Sequence, residues 1–202
     1  MTKLLTILAT LVLLNVASAQ NQLVNAPSDA YQVRYAANLV VADSVVNLTN
    51  VGTVGGRDFT GDICANVYAF AEDQQLIACC ACPLTPNHLR TLSAKGDLIS
   101  NTLTPGIPSA ITIGLIASKG TTCNAALVNA SDLAGGLRAW GTTPHALPGG
   151  TYGIGETPFS PAPLSVSELQ KVTSYCGFIQ AIGSGYGICG SCQTGAKGAT
   201  KR

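Results

Sequence analysis

Apolar and polar residues alternate in several short stretches of the chain, which is the pattern of β-strands that bury one face. In the first stretch, Tyr31 to Tyr35, the apolar Val33 and the polar Gln32 point to opposite faces. Further apolar or β-branched runs bounded by turn residues predict strands over 39–41, 44–49, 63–71, 76–84, 89–94, 110–117 and 137–140. The last of these is predicted to bury the single tryptophan, Trp140.

The clearest pair of strands is 63–71 with 76–84, because only four residues separate them, and this spacing predicts a β-hairpin. With a three-residue loop, Cys64 falls opposite Cys82, which predicts a disulfide across the hairpin. A slip of one residue in the register would separate the two sulfurs. Residues 52–62 and 142–163 are rich in glycine or proline and are predicted to be irregular.

One amphipathic helix is predicted near the C-terminus, at about 165–182. Ser165 and Glu168 have the spacing of a capping box at its start, and Gly183 is a stop signal at its end. The predicted buried stripe recurs at three- and four-residue steps and consists of Leu169, Val172, Cys176, Ile179 and Ile182. Because Cys176 lies on this stripe, we expect it to form a disulfide from the helix to the sheet.

The N-terminal residues have the features of a secretory signal peptide. Lys3 precedes an apolar run from Leu4 to Leu14, and Ala17-Ser18-Ala19 provides small residues for cleavage before Gln20. The run is too short for a membrane span, which needs about 20 apolar residues. We therefore expect residues 1–19 to be cleaved, no membrane span in the remainder, and an extracellular location for a single domain over residues 20–202.

The composition narrows the class of protein. Only 10% of the residues are charged, and 11 basic residues balance 10 acidic ones. This balance excludes a basic surface for nucleic acid, and the 47% of hydrophobic residues disfavours disorder. The order of the predicted elements favours a mainly β fold, a disulfide-stapled β-sandwich with one short C-terminal helix.

All eight cysteines lie after the signal peptide, and an even number in an exported chain predicts four disulfides. They are Cys64, Cys79, Cys80, Cys82, Cys123, Cys176, Cys189 and Cys192. Their number allows 105 connectivities, so the pairing stays open. The alternative is a four-thiolate zinc site built from the two Cys-x-x-Cys pairs, 79–82 and 189–192. Their wide separation and the expected export favour disulfides, and we predict neither a metal nor another cofactor.

Several cysteine-containing segments resemble a group of exported proteins of soil and water bacteria, acidobacteria in particular. The segments are Cys64 to Phe70, Gln74-Gln75, Cys79 to Pro83, Thr85 to Asn87, Gly136 to Trp140, and Ser167 to Leu169 with Cys176 to Ile179. The resemblance covers most of the mature chain and implies export. The group has no assigned activity, so the resemblance supplies no catalytic residue.

The sequence contains no catalytic motif that passes a test of context. His88 and His145 both follow turn residues, and neither belongs to a nucleophile or metalloprotease motif. The glycines at 185, 187 and 190 match a dinucleotide-binding pattern but follow a helix instead of a strand. We therefore predict that the protein is not an enzyme. The sequons at Asn47 and Asn129 are candidate glycosylation sites.

These features lead to two hypotheses for the function. The first is an exported structural or interaction protein, a self-assembling subunit of an extracellular fibre or surface layer. Residues 20–35 would then be an exchanged N-terminal strand that completes the sheet of a neighbouring copy; the alternative is that they pair within their own sheet. The second hypothesis is a secreted module that binds carbohydrate or another small ligand through its loops. Self-association and glycans are thus the expected partners.

Overall fold

The computed structural model describes residues 22–54, 61–120 and 122–193. They form two β-sheets packed face to face, with one α-helix, α1 (Val166–Ala181), against the outer side of the larger sheet. This arrangement confirms the predicted fold class, a disulfide-stapled β-sandwich with one C-terminal α-helix. The predicted signal peptide, residues 1–19, lies outside the described residues.

The larger sheet has six strands in the order β10-β4-β3-β6-β1-β9. They are β1 (Tyr31–Ala36), β3 (Ile63–Phe70), β4 (Leu76–Leu84), β6 (Ile111–Lys119), β9 (Ser160–Pro161) and β10 (Gly185–Ile188). All neighbours are antiparallel except β10 and β4. The interior positions of β3, β4 and β6 explain their nearly continuous apolar sequences, since both faces of these strands are covered.

The smaller sheet has four strands in the order β5-β2-β7-β8, all antiparallel. They are β2 (Val45–Asn50), β5 (Leu89–Ser93), β7 (Leu137–Ala146) and β8 (Tyr152–Pro158). Its inner face contributes Leu48, Leu92 and Leu137 to the core between the sheets. A second core lies between the larger sheet and α1, where Leu169 and Ile179 pack near Tyr68 and Ile116.

One strand prediction and one prediction of an irregular segment were wrong. Residues 39–41 form a turn, because Asn38 adopts a left-handed conformation (φ 58°) and Val41 N donates to Asn38 O. Only Leu39 of this segment is fully buried. Conversely, residues 142–163, predicted to be irregular, contain the end of β7 and the whole of β8. Their glycines lie in the turn after Pro148 and in β8, an edge strand, and they do not prevent β8 from pairing with β7.

The predicted bond between Cys64 and Cys82 was also wrong. The register of β3 and β4 places Ala65 opposite Cys82, so Cys64 points to the other face of the sheet. The four disulfides join Cys64 to Cys123, Cys79 to Cys176, Cys80 to Cys189, and Cys82 to Cys192. All eight cysteines are therefore oxidised, which indicates an oxidising environment for folding.

The helix prediction is confirmed. Ser165 Oγ accepts a hydrogen bond from Glu168 N at 3.0 Å, and Gly183 follows the helix with φ 86°. Cys176 joins the helix to β4, as expected. Ile182 was wrongly assigned to the buried stripe: it is 41% exposed, because the helix ends at residue 181 and the chain turns away.

Replacing Ser165 by alanine should lower the free energy of unfolding by about 1 kcal/mol, the usual loss for an N-cap. The physical reason is that the amide of Glu168 loses its acceptor. Urea unfolding of the two proteins measures the difference. The substitution Gln170→Ala, at an exposed position of the same helix that does not touch the cap, is the control, and equal losses in both variants would contradict a specific role for the cap.

Candidate functional site

The outer face of the smaller sheet is not covered by another layer of the described residues, whereas α1 covers the outer face of the larger sheet. This outer face carries Trp140, which is 37% exposed and not buried as the sequence predicted. The alternation along β7 explains the difference, because Ala139 and Gly141 face the core and are buried while Arg138 and Trp140 face outward.

A row of side chains crosses this face at the level of Trp140. The register places Trp140 between Asn47 of β2 and Pro158 of β8. The Asn47 amide donates to Glu156 Oε1 at 3.0 Å, and its oxygen accepts from Thr91 Oγ1 at 2.9 Å. The indole therefore lies beside an ordered polar network and next to a proline.

A concave surface, here called the Trp140 groove, opens where β7 meets the start of β1, and it encloses about 560 Å³. Side chains of both sheets line it. Its lining includes Asp29, Gln32, Arg138, Trp140, Pro158 and Phe159. An aromatic wall with a few polar groups is typical of small-ligand sites.

Asp29 and Arg138 form an ion pair in the groove, with Arg138 Nη1 2.5 Å from Asp29 Oδ2. The same carboxylate oxygen accepts from Gly136 N at 3.0 Å. Burial alone would raise the pKa of Asp29, but these two hydrogen bonds and the charge of Arg138 outweigh it and lower the pKa overall. The carboxylate therefore stays ionised at neutral pH.

Gln32 fixes the base of the groove. Its side chain is buried, and Nε2 donates to Leu137 O at 2.9 Å and to Asp29 O at 3.0 Å. These bonds tie the residues before β1 to the start of β7. The carboxylate and the strand that carries Arg138 and Trp140 are thus held together by contacts within the protein.

A second feature of the smaller sheet is the free edge of β8. Leu147 N donates to Thr151 O and Phe159 N donates to Ala139 O, both at 2.9 Å. Because hydrogen-bonded positions alternate in an antiparallel pair, every second residue of β8 turns its amide away from β7. These outward amides belong to Tyr152, Ile154 and Glu156. No other strand of the described residues pairs with β8.

The candidate residues from the sequence are scattered. Asn47 lies on the outer face of the smaller sheet, and Asn129 is exposed at a short helical turn. His88 lies at a turn, where burial and then the charge of Arg90 lower its pKa, and His145 lies on β7 close to Gly155. The two sequons stay predictions as glycosylation sites.

The zinc alternative required Cys79 and Cys82 to share a site with the second Cys-x-x-Cys pair. Cys79 is instead bonded to Cys176. The sulfurs of Cys82, Cys189 and Cys192 do lie within 4.8 Å of one another. Each of them belongs to a disulfide, however, and a disulfide sulfur is not a thiolate that can bind zinc.

Sequence reasoning missed the Trp140 groove. The available signal was the alternation in Leu-Arg-Ala-Trp-Gly at 137–141, which places Arg138 and Trp140 on one face and the small residues on the other. The participation of Asp29 had no local signal, because it depends on how the segment before β1 crosses β7.

No helix in residues 22–54, 61–120 and 122–193 is both long enough and apolar enough to cross a membrane. Comparison with known proteins found no matching family model, no matching curated protein and no matching solved structure.

Proposed function

We propose that the protein is an exported structural protein whose copies associate through added β-strands into an extracellular fibre or surface layer. The observation that best supports this function is the free edge of β8. Exposed strand edges pair readily with other chains, and proteins that remain monomeric protect such edges with charges, prolines or bulges.

The edge of β8 carries little protection of this kind. Its only charged residue is Glu156, and its only proline, Pro158, is the last residue of the strand. Its pairing with β7 runs without a bulge from Pro158 back to Tyr152. Five of its seven residues are exposed, so a strand from another molecule can approach the outward amides.

A second copy of β8 is a suitable partner for this edge. In an antiparallel pair centred on Ile154, that residue faces its own counterpart and Glu156 faces Tyr152. Isoleucine pairs are favourable across strands, and no like charges face each other in this register. The contact is two-fold and joins the smaller sheets of two copies into one sheet of eight strands.

A fibre needs a second contact, because a two-fold contact alone closes a pair. Exchange of residues 20–35 would provide it. In the isolated chain, β1 pairs with β6 along six residues, but its other neighbour, β9, covers only Gln32 and Val33. Exchange would remake the same contacts between chains, which makes it a low-cost route to assembly.

The charge balance and the disulfides are consistent with this function. The chain has a formal net charge of only +1, so copies can pack closely without strong repulsion. The disulfides suit a protein that persists outside the cell.

Replacing Ile154 by lysine should weaken assembly about tenfold or more, because the charge is placed at the centre of the proposed contact. The side chain is 63% exposed in the single chain, so the fold should be unaffected. Light scattering and sedimentation of the mature protein measure the mass of the assemblies, and electron micrographs show their form.

Leu127→Lys is the matched control, since Leu127 is 70% exposed and lies in a short helical turn outside β8. It should assemble like the wild type. A wild-type protein that remains monomeric at high concentration would contradict the function, and an Ile154→Lys variant that assembles normally would contradict the role of β8.

A further inference from the structure

We propose that the Trp140 groove binds carbohydrate, and that its ligand is a neutral oligosaccharide of pyranose rings. This inference does not depend on self-association, because no residue that lines the groove belongs to the free edge of β8 apart from Pro158 at its end. The inference assigns a class of ligand to the groove, and the proposed contact between β8 edges does not involve the groove.

The first argument is the exposed indole. Trp140 is 37% exposed, although Phe159 beside it is almost fully buried. A large aromatic ring on the surface is more useful for contact with a partner than for the stability of the sheet. The C–H groups on one face of a pyranose ring form a flat apolar surface that packs against such a ring, while the hydroxyls at its rim need polar partners.

The second argument is the set of polar groups beside the indole. Asp29 uses Oδ2 for both of its hydrogen bonds, and Oδ1 accepts none from the described residues. Arg138 donates through Nη1 to Asp29 and to Leu137 O, while Nε and Nη2 donate to no described atom. Adjacent hydroxyls of a sugar can donate to Oδ1 of the carboxylate and accept from the N–H groups on Nε and Nη2 of the guanidinium.

The charges of the groove favour a neutral ligand. Asp29 and Arg138 are the only ionisable residues among the described residues that line it, and they neutralise each other. A strongly acidic or basic ligand would find no net opposite charge. An uncharged sugar can use both members of the pair as hydrogen-bonding groups without breaking it.

The groove is also held in shape before a ligand arrives. Gln32 bonds the carbonyls of Leu137 and Asp29, and Gly136 N holds the Asp29 carboxylate. The polar groups therefore lose little conformational freedom on binding. About 560 Å³ is space for a small ligand or for a few rings of a longer one.

Tryptophan fluorescence is a direct test, because Trp140 is the only tryptophan of the chain. The mature protein is titrated with maltohexaose, cellohexaose, mannohexaose and chitohexaose. At least one should give a saturable change in emission, with a Kd of about 1 mM or tighter. Calorimetry with the same sugar then compares the variants. Trp140→Ala and Arg138→Gln should each weaken binding about tenfold.

Phe178→Ala is the matched control, since Phe178 is an exposed aromatic residue of α1, on the other side of the larger sheet from the smaller sheet that carries Trp140. This variant should bind the sugar like the wild type. Circular dichroism checks that each variant is folded; if Trp140→Ala does not fold, Arg138→Gln decides. Ile154→Lys should bind the sugar normally, so assembly and sugar binding can fail separately. No saturable binding of any of the four sugars, or unchanged affinity in the folded groove variants, would overturn the proposal.

Discussion

Replacing Cys64 and Cys123 together by alanine is expected to lower the free energy of unfolding by about 4 kcal/mol, more than the loss of any other disulfide. The two residues are 59 positions apart. Any route from Cys64 to Cys123 that passes through another disulfide runs along more residues than the direct stretch of chain between them. The other three disulfides therefore do not shorten the loop that this bond closes. Its removal therefore releases the most conformational entropy in the unfolded chain.

Sequence separation alone would give a different order. Cys82 and Cys192 are 110 positions apart, the largest separation of the four bonds. However, the bond from Cys80 to Cys189 ties together the same two segments close by. When that bond is intact, the bond between Cys82 and Cys192 closes only a small additional loop, and its removal should cost about 2 kcal/mol.

Denaturant unfolding of the two double variants without reductant measures this difference. All four cysteines are buried, so the packing lost on replacement by alanine is similar in the two cases, and loop entropy remains the main difference. A larger loss for the pair Cys82 and Cys192 would contradict the argument that neighbouring disulfides share one loop. Equal losses of unfolding free energy in the two double variants would show that loop entropy does not determine how much each disulfide stabilises the fold.

The strands and the helix could be predicted from the sequence because local signals specify them. Alternation defined β1, the turn residues around 72–75 defined the hairpin of β3 and β4, and Ser165 defined the start of the helix. The pairing of the cysteines could not be predicted, because it depends on the register. A shift of one residue moves Cys82 from the face of Cys64 to that of Ala65.

Which face of each strand packs against the other sheet was harder to predict from the sequence. Alternation separates two faces but does not say which one meets the other sheet. In β1 the alternation alone favours burial of the apolar Val33, yet Gln32 and Arg34 point into the core and are 3% and 6% exposed. Their polar groups are acceptable there because carbonyl and hydroxyl groups of the opposite sheet accept their hydrogen bonds.

The candidate site depends on the same kind of information. The sequence pattern places Arg138 and Trp140 on one face of a strand, but only the structure brings Asp29 to that face from more than one hundred residues earlier. Contacts of this range follow from the topology of the sheets. The free edge of β8 is likewise a property of strand order, which no local pattern specifies.

Replacing Gly141 by alanine is expected to lower the free energy of unfolding by about 3 kcal/mol, through its effect on the buried Arg34. A Cβ atom at position 141 would lie 2.7 Å from Nε, Nη1 and Cζ of the guanidinium, which is closer than atoms in contact can be. The guanidinium would have to move away from β7.

Such a movement is costly because Arg34 is held by specific partners inside the sandwich. Nη2 donates to Thr143 Oγ1 at 2.8 Å and Nε donates to Thr157 Oγ1 at 3.3 Å. Burial lowers the pKa of Arg34, and the negative charge of Glu156 opposes this effect. Nη1 is already buried and has no hydrogen-bond partner among the described residues, so a shift that broke the other bonds would leave a desolvated cation with little compensation.

A double-mutant cycle tests this mechanism. In an Arg34→Met background the guanidinium is absent, so Gly141→Ala should cost less than about 1 kcal/mol, and the coupling between the two sites should be about 2 kcal/mol. Gly153→Ala is the control, since among the described atoms a Cβ there would meet only Leu147 Cδ1, at an ordinary 3.6 Å. Urea unfolding gives all the free energies. If Gly141→Ala were equally harmful with and without Arg34, the loss would come from the backbone of β7, and the guanidinium would not be the reason for glycine at this position.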